Sequence, residues 1–223
     1  MWREAYPEIG ERKDMSDIKT GRMVLGPVST NCYFVYREER KEAVVFDPAD
    51  HGADIYKALT DMGLSVKAIA LTHGHFDHIG GVAKLRQLSH CTLYAGEHEV
   101  RLLSDPQINQ SSRYGLELTA TSDHLLKDGE ELDIGGIHIR TIYTPGHTEG
   151  GVCYYIGEAG LLISGDTLFE GSVGRTDMPT GNMDTLIRSI NEKLMVLPDE
   201  TLVYPGHGGT TTIGDERQYN PFL

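Results

Sequence analysis

Residues 72–80 read THGHFDHIG, and positions 73–78 hold His73, His75, Asp77 and His78. Four ligand-capable side chains in six positions need a reason. A buried loop gives none, because each polar group would need its own partner. A solvated turn gives none either, since Ser, Asn or Gly serve there at lower cost. Metal coordination remains, and it predicts further ligands elsewhere in the chain.

Three other segments repeat the layout of this one, in which an apolar run ends and a glycine-containing loop presents His or Asp. They are TIYTPGHTEGG around His147, LLISGDTLF around Asp166 and LVYPGHGG around His207. Loops beyond strand ends are where α/β architectures place functional groups, because the sheet holds them rigidly. The candidates are therefore His73, His75, Asp77, His78, His147, Asp166 and His207. Seven nitrogen and oxygen donors are too many for one zinc ion with four or five ligands, and they suit two ions sharing a carboxylate. His73 and His75, two apart in extended chain, can point the same way. Asp77 and His78 fall where a helix is expected to begin and turn toward a second position. No cysteine adjoins these segments, which argues against a closed structural site.

The remaining sequence supplies the scaffold. Strands are expected at 18–26, 31–38, 42–48, 66–72 and 91–96, and again at 130–135, 137–144, 151–157, 160–166 and 201–206. Helices are expected at 53–63, 80–88, 97–103 and, most strongly, 182–197, where Leu186, Ile187, Ile190, Leu194 and Leu197 recur at helical spacing. A short helix or turn closes the sequence at 214–223. Residues 104–123 lack periodicity and read as a surface excursion. Residues 1–15 are polar and aperiodic and read as a flexible N-terminal extension to a single domain, 16–223. Strand and helix alternation given twice predicts an α/β protein with helices over the outer faces of sheets.

Composition narrows the function. The 223 residues carry a formal net charge of −13, which makes nucleic acid or an anionic membrane a poor default partner. No apolar run approaches the roughly 20 residues of a bilayer span. The first residues have no signal-peptide core. Three scattered cysteines fit reduced thiols, so a cytoplasmic location is expected. Neither a Gly-x-Ser-x-Gly elbow nor a phosphate-binding glycine loop is present, so neither a serine nucleophile nor a nucleotide is indicated. His51, His90, His98, His124 and His138 read as surface or packing residues.

With these residues in place, THGHFDHIG resembles the HxHxDH signature of the metallo-β-lactamase superfamily, and His147, Asp166 and His207 complete its set. GDTLFEGSVGRTD (165–177) and YPGHGGTTTIGDERQYNPFL (204–223) are similar to the small glyoxalase II-like hydrolases. The resemblance implies a four-layer αβ/βα sandwich with two mixed sheets. It implies one metal on His73, His75 and His147, another on Asp77, His78 and His207, and Asp166 bridging them. Two divalent ions, zinc by preference with iron or manganese accepted by the same donors, would activate a hydroxide oriented by Asp77. Asp47 would orient a ligand imidazole. Arg175 and Asp177 would contact substrate or brace the site loop as an ion pair.

The activity implied is hydrolysis of a small acyl thioester of the hydroxyacylglutathione type. Glyoxalase II enzymes use a further C-terminal helical region to grip glutathione, whereas this sequence ends at Leu223. Carrier contacts are therefore expected elsewhere, with 104–123 a candidate. Two alternatives stay open: a persulfide dioxygenase with one iron, and a non-enzymatic metal-binding module. The oligomeric state is not legible.

Overall fold

The computed structural model describes residues 17–223, and the expected extension at 1–15 lies outside them. The first sheet takes its strands in chain order. It comprises β1 (Ile18–Leu25), β2 (Thr30–Arg37), β3 (Glu42–Phe46), β4 (Ser65–Ala70), β5 (Thr92–Gly96) and β6 (His124–Leu126). β1 to β3 pair antiparallel and β3 to β6 parallel, so the sheet is mixed. The parallel pairs need crossovers. α1 (Gly52–Asp61) supplies the first, and α2 (Phe76–Ile79) with α3 (Val82–Ser89) the second. α4 (Val100–Ser104) and a single 3-10 turn at Ser111–Tyr114 lie between β5 and β6.

The second sheet is built from β7 (Glu131–Ile134), β8 (Ile137–Tyr143), β9 (Val152–Ile156), β10 (Leu161–Gly165), β13 (Leu202–Pro205) and β14 (Thr211–Thr212). Its order is β14-β13-β10-β9-β8-β7, with only β10 and β13 parallel. A separate hairpin, β11 (Leu168–Phe169) with β12 (Ser172–Val173), follows β10. α5 (Met183–Ser189) crosses to β13, and α6 (Ile213–Tyr219) comes last. Gly135 and Gly136, both at positive φ, make the two-residue turn between β7 and β8.

Alternation along the strands sorts the core into three parts, which sets the layers. Phe34, Val45, Ile69 and Leu93 face Ile55 and Leu59 of α1 and Val82 and Leu85 of α3. Their neighbours Tyr33, Val35, Val44, Phe46, Ala68 and Ala70 turn the other way, onto Ile137, Ile139, Val152, Tyr154 and Ile163 of the second sheet. Ile142, Cys153, Leu162 and Val203 leave that sheet's far face to pack on Leu186, Ile190 and Ile213. The order is helix, sheet, sheet, helix, as expected.

Local expectations shifted in three places. The helix expected over 182–197 is α-helical only to Ser189 and continues as a wide π turn, Ile190–Leu194, in which Ile190 and Leu194 stay buried. Packing of the apolar face overrides the regular repeat there. The helix expected over 97–103 begins only at Val100, because Glu99 turns inward and is fully buried. Residues 104–123 are more than a surface excursion. Asn109, Gln110 and Ser111 are buried, and the carbonyl of Asn109 accepts from the Phe76 amide at 3.0 Å.

Candidate metal centre

All four segments that carry the candidate residues end at one edge of the sandwich. β4 runs into the 72–80 loop, β8 into the loop of His147, β10 into Asp166 and β13 into His207. The seven expected residues converge there. The ligand atoms of His73, His75 and His147 lie within 4.8 Å of one another, as do those of Asp77, His78 and His207. A third group, His73, His78 and Asp166, joins the two.

His147 Nε2 is 2.9 Å from His75 Nδ1 and 3.3 Å from His73 Nε2. The hydrogen bonds on the far side of two rings decide their tautomers. His147 Nδ1–H donates to the Arg175 carbonyl at 2.7 Å, and His78 Nδ1–H donates to Asp47 at 3.0 Å. In its neutral form each ring therefore presents an Nε2 lone pair inward. Asp166 lies between the groups, with Oδ1 3.4 Å from His78 Nε2 and Oδ2 3.7 Å from His147 Nε2 and 3.5 Å from His207 Nε2. Asp77 Oδ2 is 3.2 Å from His207 Nε2 and accepts from the Thr30 hydroxyl at 2.9 Å.

Charge divides the site. Burial, reinforced by neighbouring imidazoles, holds His73 well below its ordinary range and pushes His75 down to about 3. His147 is also lowered, chiefly by burial. Burial opposes charge on His78 too, yet the carboxylates of Asp77, Asp166 and Asp47 raise it. His207 goes up for the same reason, through Asp77 and Asp166. Both carboxylates are in turn held low against burial, by His78 above all.

The residues fit divalent cations on an observation independent of their type. His78 Nε2 and Asp166 Oδ1 are buried and make no hydrogen bond, and His75 Nε2 shares that state. A buried orphan lone pair costs about 1–3 kcal/mol. A cation between His78 and Asp166 would satisfy both. Space is kept for Asp166 by Gly206, where a Cβ would stand 2.2 Å from Oδ1.

Asp47, buried and in the left-handed region at φ 47, also accepts from the Thr72 amide at 2.8 Å and the Thr72 hydroxyl at 2.7 Å. Arg175 and Asp177 form a two-pronged exposed ion pair, at 2.6 and 2.7 Å. Arg175 thus serves the site through its main chain as well, at His147. His51, His90, His98, His124 and His138 are exposed, away from the cluster.

Sequence reasoning missed Glu99. Its Oε1 accepts from the Gly74 amide at 2.8 Å and its Oε2 from the Thr148 hydroxyl at 3.1 Å, so one carboxylate ties the His73–His75 turn to the His147 loop. Burial drives its pKa up to about 7. Gly150 permits the approach, since a Cβ there would lie 2.2 Å from the Glu99 amide nitrogen. A cavity of about 440 Å³ opens over the ligands, lined by His75, Asp77, Asp166 and His207 and, further out, by Phe76, Gln110, Arg113, Tyr114 and Arg175.

Comparison with known proteins establishes the family. The family model of the metallo-β-lactamase superfamily matches residues 25–207, and the chain belongs to that superfamily. A Bacillus subtilis protein named Probable metallo-hydrolase YqgX is 43% identical over 208 residues, covering 92% of this chain and 98% of its own. Hydroxyacylglutathione hydrolase GloC of Haemophilus influenzae is 35% identical over 199 residues, 86% of this chain and 92% of its own. Among solved structures, one described as the B3 metallo-β-lactamase BLEG-1 superposes with a TM-score of 0.87 at 42% identity, covering 92% of this chain and 99% of its own. Another, described as TTHA1623 in a di-iron-bound form, gives 0.82 at 36% identity, covering 91% and 99%.

Proposed function

We propose that this superfamily member is a metal-dependent hydrolase of small acyl thioesters, with two divalent ions held by His73, His75 and His147 and by Asp77, His78 and His207, and with Asp166 shared between them. Zinc suits these donors, and iron is supported by the di-iron relative. Metal ions bound there would polarise an acyl carbonyl and bring the pKa of a water ligand from about 15.7 to about 7. The protein's part is positioning. Asp77, fixed by Thr30, is held ionised and would accept a hydrogen bond from the attacking water. Arg175 and Asp47 fix the rings of His147 and His78.

One observation carries the choice of substrate. The carboxyls that line the cavity, Asp77 and Asp166, are both held below the usual range. His207, raised by them, would have no proton to give once its Nε2 holds a cation, so none of the three is a proton donor in the loaded site. A leaving group that departs as an anion suits such a site. A thiolate does so readily, whereas an amine needs a proton. The relative named as a hydroxyacylglutathione hydrolase supports the same class. The relative described as a β-lactamase makes β-lactams the comparison to run.

The test is thiol release from lactoylglutathione, acyl-CoA and short acyl thioesters, beside a β-lactam, a phosphodiester and oxygen uptake with glutathione persulfide. Thiol release should vanish on chelation and return on reconstitution. A protein fully loaded with metal that ignores every thioester but consumes oxygen with the persulfide, or opens the β-lactam, would overturn the reading. Loss of catalysis with all substrates would promote the binding-module alternative.

A further inference from the structure

One wall of the cavity has no task in the chemistry above. It comes from residues 105–118, which the sequence left without structure. The segment is internally tied. Asp105 Oδ1 accepts from the Gln107 amide, Asn109 Oδ1 from the Ser111 amide, and Ser111 Oγ from the Leu118 amide, at 2.8, 2.9 and 3.2 Å. Phe76, between His75 and Asp77, anchors it through Asn109 and stacks on Tyr114 with ring centroids 4.3 Å apart.

Gln110 occupies this wall in the left-handed region, at φ 71, with 4% of its surface exposed. Its Nε2 donates to the carbonyls of Gln107 at 2.7 Å and Ile108 at 3.1 Å, which fixes the carboxamide orientation. Oε1 is left buried without a partner. An unpaired buried acceptor in a cavity wall is a site where a ligand N–H is worth most. Arg113, one turn further, lines the same cavity and is exposed, and its guanidinium makes no hydrogen bond or ion pair among the described residues. Arg175 lines it too, with Asp177 as its single carboxylate partner. Two guanidinium groups therefore stand on this side of the cavity, Arg175 paired with Asp177 and Arg113 without a hydrogen-bonding partner among the described residues. The chain as a whole carries a net charge of −13, and Asp77 and Asp166 line the cavity's other end.

We propose that Gln110, Arg113 and Tyr114, with Arg175, form the receptor for the thiol carrier of the substrate, selecting an amide-containing carrier with an anionic end. This rests on the thioesterase reading for its orientation, with the acyl group over the metal ligands and the carrier along the wall. Tyr114 and Phe76 offer apolar surface to the stem, Gln110 an acceptor for an amide N–H, and the arginines a fork for carboxylate or phosphate. A peptidic thiol and a phosphate-bearing coenzyme thiol share that chemistry.

Non-hydrolysable thioethers test the wall without catalysis. S-methylglutathione, the methyl thioether of coenzyme A and neutral S-methyl-N-acetylcysteamine would be titrated calorimetrically into metal-loaded protein. One or both anionic thioethers should bind at least about fivefold tighter than the neutral one, and the advantage should shrink with added salt. Which of the two leads identifies the carrier. Arg113→Ala should erase most of that ratio and Arg113→Lys should retain part of it. With the matching thioester, the Arg113→Ala loss should appear in KM rather than kcat. Equal affinity for charged and neutral thioethers, no binding of any, or a preference that survives Arg113→Ala would overturn the proposal. If the thioethers bind in the expected order while no thioester is cleaved, the wall stands and the thioesterase reading falls. If thioesters are cleaved without regard to carrier charge, the reverse holds.

Discussion

Glu99 accepts the backbone N–H of Gly74 at 2.8 Å, so a buried carboxylate sets the turn that separates His73 from His75. Its raised pKa, about 7, gives a signed expectation. The unfolded chain's Glu titrates near 4.3, so between about pH 4.3 and 7 the native state holds a proton that the unfolded state has lost. The stability this group contributes is full below that window and is lost as pH rises through it, by about 1.4 kcal/mol per unit. Glu99→Gln, which cannot ionise, should compare worst with the native protein near pH 5 and improve relative to it by pH 8. Urea unfolding at both values, in one metal state, checks this. A difference constant with pH would show that Glu99 is ionised throughout.

Glu99→Ala tests the tie itself. It leaves the Gly74 amide and the Thr148 hydroxyl without their acceptor, at about 1–3 kcal/mol each. Metal affinity should fall as the loops of His73, His75 and His147 loosen, and Glu99→Gln should restore much of it. Competition with a chromogenic chelator is the measurement.

Asp166 lies between the two groups, within 3.7 Å of His147 Nε2 and 3.5 Å of His207 Nε2, so under the proposed bridging role Asp166→Ala should weaken metal at two positions and abolish turnover. Asp166→Asn, without the charge, should remain poor. Elemental analysis of protein purified without added metal should give close to two transition-metal equivalents for the native chain and a clear deficit for Asp166→Ala. Two tightly bound ions and near-normal rates in the variant would remove Asp166 from the bridging role.

Asp47→Ala removes the acceptor of His78 Nδ1–H and of two Thr72 donors. Loss of a carboxylate behind a ligand imidazole lowers metal affinity by about 10–100-fold. The deficit should be measurable as a weaker chelator-competition constant, with an ion on His73, His75 and His147 affected less than one held by His78.

Chelated protein should be acid-sensitive in a defined direction. His73 and His75 have depressed native pKa values, the latter about 3, against about 6.5 in the unfolded chain. The unfolded state therefore binds protons first, and the stability these rings contribute above pH 6.5 is lost as pH falls toward 3. His78, His207 and Glu99, all raised, work the other way and are protonated earlier in the native state, so the fall is set by the three lowered rings, His73, His75 and His147. Thermal unfolding of the chelated protein from pH 7 to 5 should show a falling Tm, and replacement of His75 by Gln should reduce the slope.

The convergence of the seven candidate residues beyond strand ends was legible in the sequence, because imidazole and carboxylate after an apolar run have few other uses. The two sheets were legible too, since alternation along 31–38, 42–48 and 137–144 marks faces that must be covered. What the sequence could not carry was anything mediated by the main chain or by a distant fold-back. The Arg175 carbonyl that orients His147 is a group every residue owns, so no residue type announces it. Glu99 reads, in EHEVRLL, as one more surface charge, and only the approach of the Gly74 and Thr148 loops gives its carboxylate donors inside the protein. Gln110, Arg113 and Tyr114 sit in an aperiodic run, and folding over Phe76 brings them to the cavity. Residue chemistry and periodicity are local properties, readable one segment at a time. Which buried donors meet which acceptors depends on segments far apart in the chain, and that only tertiary packing decides.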